Sequence, residues 1–352
     1  MGFATMGALS SCDVHQWPEP NNEPVPNPEP EPGPNPSATS IVKLDLKYLT
    51  DFDYRHHDYD MKSGVVGTGV AGDNYDNIDN LMPGTPMKVT VKVHLNNVNQ
   101  TQVLSQSFIK NLDTDFDTDV EIEVPSGQEY LITVWGHLLD SKEESFYDDT
   151  DFNAIKLINA KYDGNNDMRD AFRGRLKVSV SDEEYLQGTV EMRRPMGKFE
   201  LVATDLQAFL ANEEKRVGLG TRAASLNDYT IVISYPAYYP NSYTAMDNRN
   251  ENSGTGYSFS TKFSSSLDMD KDEETSLGFD YVFINDTSDT GVQVQLTVNH
   301  ADGTKVASTG MITIPMQRDV HVVLRGDFLS TYGDGGIGID PDFDGDFNVP
   351  IH

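Results

Sequence analysis

One cysteine in 352 residues, Cys12, leaves no partner for an intramolecular disulfide and rules out zinc or iron–sulfur centres built from several thiolates. Basic residues are scarce as well: 26 Lys+Arg stand against 56 Asp+Glu, a formal charge of −30 at pH 7. A surface this negative repels phosphate backbones, so nucleic acid is excluded as a partner, as is polybasic docking onto an anionic membrane. No run approaches the ~20 consecutive apolar residues of a spanning helix. The motifs of common catalytic sites are missing too: no Gly-x-Ser-x-Gly elbow, phosphate-cradling glycine loop or His-Glu-x-x-His, and eight scattered histidines. Paired carboxylates occur everywhere in so acidic a chain, which makes any chosen acid/base pair arbitrary. The expectation is a non-enzymatic protein that needs no cofactor.

The apolar stretch Met1 to Leu9 is followed by Ser10, Ser11 and Cys12, then by polar, proline-rich sequence. Leu-Ser-Ser-Cys looks like a bacterial lipobox, in which small residues admit the signal peptidase and the thiol of Cys12 takes a diacylglycerol. Residues 1–12 are therefore expected to be a lipoprotein signal segment, shortened at a start that lacks the usual Lys or Arg. The mature chain would be held to a membrane by lipid rather than span it. Residues 13–37 carry nine of the 18 prolines. Such spacing blocks helix and ladder hydrogen bonds and predicts an extended linker, reaching ~75 Å at about 3.1 Å per residue.

Beyond Ser37 the pattern has period two. Ile41, Val42, Leu44, Leu46 and Tyr48 mark a first strand over Ile41–Leu49, and Val89, Val91, Val93 and Leu95 another. Val120, Ile122 and Val124 continue the series, as do Ile231 and Ile233, Val292 to Val298, and Val320, Val322 and Leu324. One helix is expected after Thr204, where Leu206, Phe209 and Leu210 share a face. Asn299 to Gly303 reads as a hairpin turn. Many short strands with few helices predict an all-β chain of sandwiches. The interruption at Arg193–Gly197 divides it into a sandwich over 38–194 and another over 195–352.

Candidate sites are sparse. Asp340, Asp342, Asp344 and Asp346 alternate like the oxygen ligands of a calcium loop, although Ile351 replaces the bidentate glutamate; Asp113 to Asp119 and Asp268 to Asp272 are weaker versions. Tyr235, Tyr238, Tyr239 and Tyr243, interleaved with prolines, read as an exposed aromatic loop able to stack on a glycan or a host protein. His56 and His57 read as a solvated loop, and Arg325-Gly326-Asp327 as a turn at a strand end.

The lipobox, the proline spacer, the junction Arg194-Pro195-Met196-Gly197-Lys198-Phe199-Glu200-Leu201-Val202-Ala203-Thr204-Asp205-Leu206 and the ending Arg325–Leu329 with Gly335–Gly345 together resemble the fimbrillin-like lipoproteins of bacteroidal type V pili. That resemblance implies two tandem transthyretin-like sandwiches, lipid anchoring in the outer membrane at the cell surface, and assembly with other fimbrial subunits, or with itself, by strand exchange. It also implies that an arginine-specific protease removes the first strand of stalk subunits, for which Arg55 is the nearest downstream arginine, whereas anchor subunits stay uncut. The donor strand would be the C-terminal run carrying Phe343, Phe347, Val349 and Ile351. A surface lipoprotein that binds glycan or host protein without polymerising is the alternative.

Overall fold

In a computed structural model, the described residues are 38–71, 84–158, 162–181, 185–217, 225–268, 272–285 and 290–330. Cys12, the linker, the C-terminal donor run and the aspartates after residue 339 lie outside them.

The chain opens with β1 (Thr39–Tyr48), β2 (Asp53–Asp60), β3 (Val65–Val66) and β4 (Val70–Ala71). Next come β5 (Pro86–Leu95), β6 (Gln102–Asn111), β7 (Asp117–Pro125), β8 (Gln128–Leu138), β9 (Tyr147–Asp148) and β10 (Ile155–Leu157). After β11 (Ala171–Val180), β12 (Tyr185–Met192) and β13 (Met196–Ala203) stands the helix α1 (Leu206–Val217). The second half holds β14 (Tyr229–Ser234), β15 (Tyr239–Thr244), β16 (Arg249–Gly254), β17 (Ser258–Thr261) and β18 (Thr275–Phe283). It closes with β19 (Thr290–His300), β20 (Lys305–Ser308), β21 (Ile312–Met316) and β22 (Val320–Gly326). The fold is all-β, as the alternation predicts.

Two sheets, ordered β12-β1-β7 and β11-β8-β5-β6, face each other in the first half. Between them lies a core built from the inward residues of several strands: Val42, Leu44 and Leu46; Val89, Val91 and Val93; Val120, Ile122 and Val124; Ile132 and Val134. Alternation is what makes this possible, since successive side chains point to opposite faces of a strand. In the second half the sheets β18-β13-β22-β2-β3 and β17-β14-β19-β20 enclose the larger core, beside a smaller sheet β16-β15-β10-β9. Strand β13 is buried at every position, so it serves as a central strand there. The face of α1 carrying Leu206, Phe209 and Leu210 packs on that core. The carboxylate of Asp205, the residue before α1, accepts the N–H groups of Leu329 at 3.1 Å and Ser330 at 2.6 Å. It thereby pins the chain where it leaves β22.

The division drawn at residues 194 and 195 falls between β12 and β13, but the chain does not respect it. Strand β2 runs parallel to β22, with Asp53 opposite Val320 and His57 opposite Leu324, and β10 pairs with β15. Residues 53–71 and 147–157 thus complete sheets of the second half. Period-two patterning fixes that a segment is a strand and says nothing of which sheet receives it.

Candidate assembly groove

Strand β1 sits between two strands distant in sequence. It runs parallel to β12 (Ile41 opposite Tyr185, Tyr48 opposite Met192) and antiparallel to β7 (Thr39 opposite Pro125, Lys47 opposite Asp117). Both of its edges are therefore hydrogen-bonded. Its inward residues Val42, Leu44, Leu46 and Tyr48 are buried, while Ile41 is 44% exposed on the outer face. The Tyr48 ring meets Phe172 edge-on at 5.2 Å, in space that Gly136 leaves open: a Cβ there would lie 3.0 Å from the tyrosine hydroxyl. That hydroxyl is buried without a hydrogen-bond partner among the described residues, and burial pushes its pKa far up. At the other end the Ser40 hydroxyl bonds the Ser126 hydroxyl at 2.8 Å and donates to the Ser181 carbonyl at 3.2 Å.

The outer face of the same sheet is charged. Lys43 lies opposite Glu121 in the register, and its ammonium reaches Asp119 at 3.2 Å, a hydrogen bond and charge that raise the lysine's pKa. Asp45 accepts a hydrogen bond from the Gln187 amide at 2.5 Å, and the Tyr185 hydroxyl donates to Glu121 at 3.1 Å. Burial pushes the Asp117 carboxyl up while Lys47, opposite it, pulls it down. A strand removed from here would leave a long slot with apolar pockets below and two unsatisfied strand edges above.

Arg55 does not stand in a loop after the first strand. It lies within β2, opposite Val322 of β22 on one side and Ala71 of β4 on the other, and its guanidinium pairs with Asp53 at 2.7 Å. The link from β1 to β2 is Leu49, Thr50, Asp51 and Phe52, which contains no arginine. His56 and His57 likewise belong to β2 rather than to a loop, and a ring nitrogen of His57 lies 3.0 Å from the Gly67 carbonyl.

The tyrosine loop is corrected most. Tyr235, Tyr239 and Tyr243 are buried; only Tyr238, 71% exposed, faces outward. Their polar tips find internal partners, as buried tyrosines require. Tyr235 donates to Asp280, Tyr239 donates to the Tyr281 carbonyl at 2.8 Å and accepts from Arg169 at 2.6 Å, and Tyr243 stacks on Phe283 at 5.3 Å. At the centre Arg169 forms a fully buried ion pair with Asp280. No sequence signal marks this cluster, whose members are spread from Arg169 to Phe283.

Asp113 and the Arg-Gly-Asp tripeptide have structural partners, while Asp270 lies outside the described residues. The Asp113 carboxylate accepts the N–H groups of Asp115 and Asp117, both at 2.9 Å, closing a turn before β7. Among the described residues no group of three or more His, Cys, Asp or Glu is placed to hold a metal ion. Arg325 of the Arg-Gly-Asp tripeptide pairs with Glu274, and Asp327 accepts from the Thr204 hydroxyl at 2.8 Å. A close Ser–His pair is formed by Ser145 and His137, 2.6 Å apart. Its chemistry runs against nucleophile activation: the Trp135 indole N–H donates to Nδ1 of His137 at 3.1 Å, which leaves the proton of the neutral ring on Nε2, facing the serine. Ser145 directs its own proton to the Tyr147 carbonyl.

Layered all-β sheets, with β1 seated between β12 and β7, define a β-sandwich protein. The chain belongs to the family of unknown function DUF6562, whose model matches residues 67–352. No curated protein matches it. Among solved structures it is similar to a candidate polysaccharide-binding protein (DUF1812) from Bacteroides thetaiotaomicron: 13% identity, 77% of this chain and 80% of that one, TM-score 0.43. It is similar also to the fimbrial anchor protein Mfa2 from Porphyromonas gingivalis (10% identity, 78% and 83%, TM-score 0.39). A third is a candidate cell adhesion protein from Bacteroides eggerthii (12%, 84% and 89%, TM-score 0.41).

Proposed function

We propose that the protein is a non-enzymatic structural subunit of a surface fimbria, stalk or anchor, held to the outer membrane through lipid on Cys12 and joined to its neighbours by exchange of β1. The observation that carries this reading is the seat of β1: a strand from the start of the sandwich, bonded on both edges to distant parts of the chain and tied to β2 by only four residues. A strand from a neighbouring subunit would satisfy the same two edges and fill the same pockets, which is β-augmentation of an open sheet. No cofactor beyond the N-terminal diacylglycerol is called for. A glycan- or host-binding role for the tyrosine loop has less support, because three of its four tyrosines are buried.

Within this reading the position of Arg55 favours retention of β1. Cleavage requires an extended segment inside the protease, and Arg55 is engaged by strands on both sides. The test is limited digestion of the folded protein with a trypsin-like protease, followed by mass spectrometry and size-exclusion chromatography. Loss of the residues before His56 with growth of higher oligomers identifies a stalk subunit. Retention of β1, with oligomers forming only on addition of partner subunits, identifies an anchor. Monomers under both conditions overturn the assembly role.

A further inference from the structure

Resting on the reading that β1 is exchangeable, we infer that its groove selects occupants by charge: it takes a strand with basic outward residues from a different chain and refuses this chain's own acidic C-terminal run. The rim of the groove carries the argument. Along β7 the outward positions beside β1 are Asp117, Asp119, Glu121 and Glu123, and β12 adds Glu191. Tyr185, Gln187 and Thr189 complete the flanking outward positions, so the rim itself contributes no cation.

The occupant observed there answers this field. In a protein with more than two acidic residues for every basic one, β1 presents two lysines among its five outward residues Thr39, Ile41, Lys43, Asp45 and Lys47. Lys43 bridges to Asp119, and Lys47 lies between Asp117 and Glu191 in the two registers. The one outward acid, Asp45, lies opposite Asp119 in the β7 register; the Lys43 ammonium stands between them, 3.9 Å from Asp45 and 3.2 Å from Asp119, and the Gln187 amide meets Asp45 from the β12 side. Opposite charges directly across a pair of strands stabilise it and like charges destabilise it.

The sequence Asp340-Pro341-Asp342-Phe343-Asp344-Gly345-Asp346-Phe347-Asn348-Val349-Pro350-Ile351 alternates in the opposite sense. With Phe343, Phe347, Val349 and Ile351 turned into the pockets, Asp342, Asp344 and Asp346 would line the outward row against the acidic rim. Because the β7 side is acidic along its whole length, sliding the register or reversing the strand brings no relief. Copies of this chain therefore do not extend themselves through this pair of elements. The groove instead serves a donor with Lys or Arg at alternate positions.

The test keeps the full chain. A specific protease site inserted between Thr50 and Asp51 is cut after folding, which leaves β1 seated without a covalent link. Peptides then compete with a fluorescent copy of residues 38–50: the β1 sequence, its Lys43→Glu/Lys47→Glu form, residues 340–352, and residues 340–352 with Asp342→Lys, Asp344→Lys and Asp346→Lys. At low salt the charge-reversed β1 peptide should bind about tenfold more weakly than the native one, and the lysine-substituted tail about tenfold more tightly than the native tail. Both gaps should shrink to within about threefold in ~0.5 M salt, where screening lengths fall to a few ångströms. Tail binding that matches β1, or charge changes without effect, overturns the charge rule while exchange itself stands. A cut protein that stays folded yet admits no peptide, or one that unfolds on cutting, overturns the exchange reading and the rule with it.

Discussion

Replacing Arg194 with methionine should give a loss of stability that grows with pH. The guanidinium is buried at the junction of β12 and β13, donates from Nε to both oxygens of Asp170 at 3.0 and 2.8 Å, and lies 3.8 Å over the Phe52 ring and 4.9 Å over Phe172. Phe172 belongs to the first core and Phe52 to the second, so this side chain fastens the two together. Burial already pushes the Asp170 carboxyl up to about 6, against the pull of Arg194. Without the arginine that pKa climbs further. The folded state of the variant then holds a proton that the unfolded state, with a carboxyl near ~3.9, has released, and a raised folded pKa means stability is lost as pH rises. In the native protein this loss ends near pH 6, whereas in Arg194→Met it continues at about 1.4 kcal/mol per pH unit. Between pH 6 and 8 the cost of the substitution should thus grow by about 2–3 kcal/mol, approaching the roughly 3–5 kcal/mol of a broken buried ion pair. Urea unfolding followed by near-ultraviolet circular dichroism, which reports the packed aromatics around Trp135, measures it. Adding Asp170→Asn should abolish the pH dependence. A cost equal at pH 6 and pH 8 would refute the account.

The seat of β1 yields a pair of opposite expectations. Leu44→Ala should cost about 2–4 kcal/mol in the same unfolding assay, since it opens a cavity in a closed core. Tyr48→Phe should gain roughly 1 kcal/mol by removing a buried hydroxyl that lacks a partner, and a loss instead would mean that the group is satisfied. His137 sets an acid limit. Enclosed by Trp135 and Ser145, with Asp149 and Lys88 as the nearby charges, its pKa is lowered by burial to about 4. A depressed histidine stabilises the fold above its unfolded pKa, so about 3 kcal/mol should drain away as pH falls from 6.5 to 4. His137→Phe should flatten that part of the pH–stability curve, and an unchanged curve would count against the assignment.

Much of the architecture is written in the chain itself, because the side-chain period of a strand is local. The alternation of Val42, Leu44 and Leu46, or of Val89, Val91 and Val93, is enough to make each a half-buried strand, and the amphipathic run from Leu206 to Leu210 is enough to make a helix. The lysines at 43 and 47 are legible in the same way, as the outward row of β1. Partners are another matter. That β1 lies parallel to β12 some 140 residues away, that β2 crosses to β22 and leaves Arg55 inside a sheet, and that Arg169 finds Asp280 all come from long-range closure. The tyrosines at 235, 239 and 243 look like an exposed loop beside prolines. They are buried because Asp280, Arg169, the Tyr281 carbonyl and Asn248 accommodate their hydroxyls. Local periodicity decides which face of a segment is apolar. Only the assembled sheets decide what that face, and each polar tip, comes to rest against.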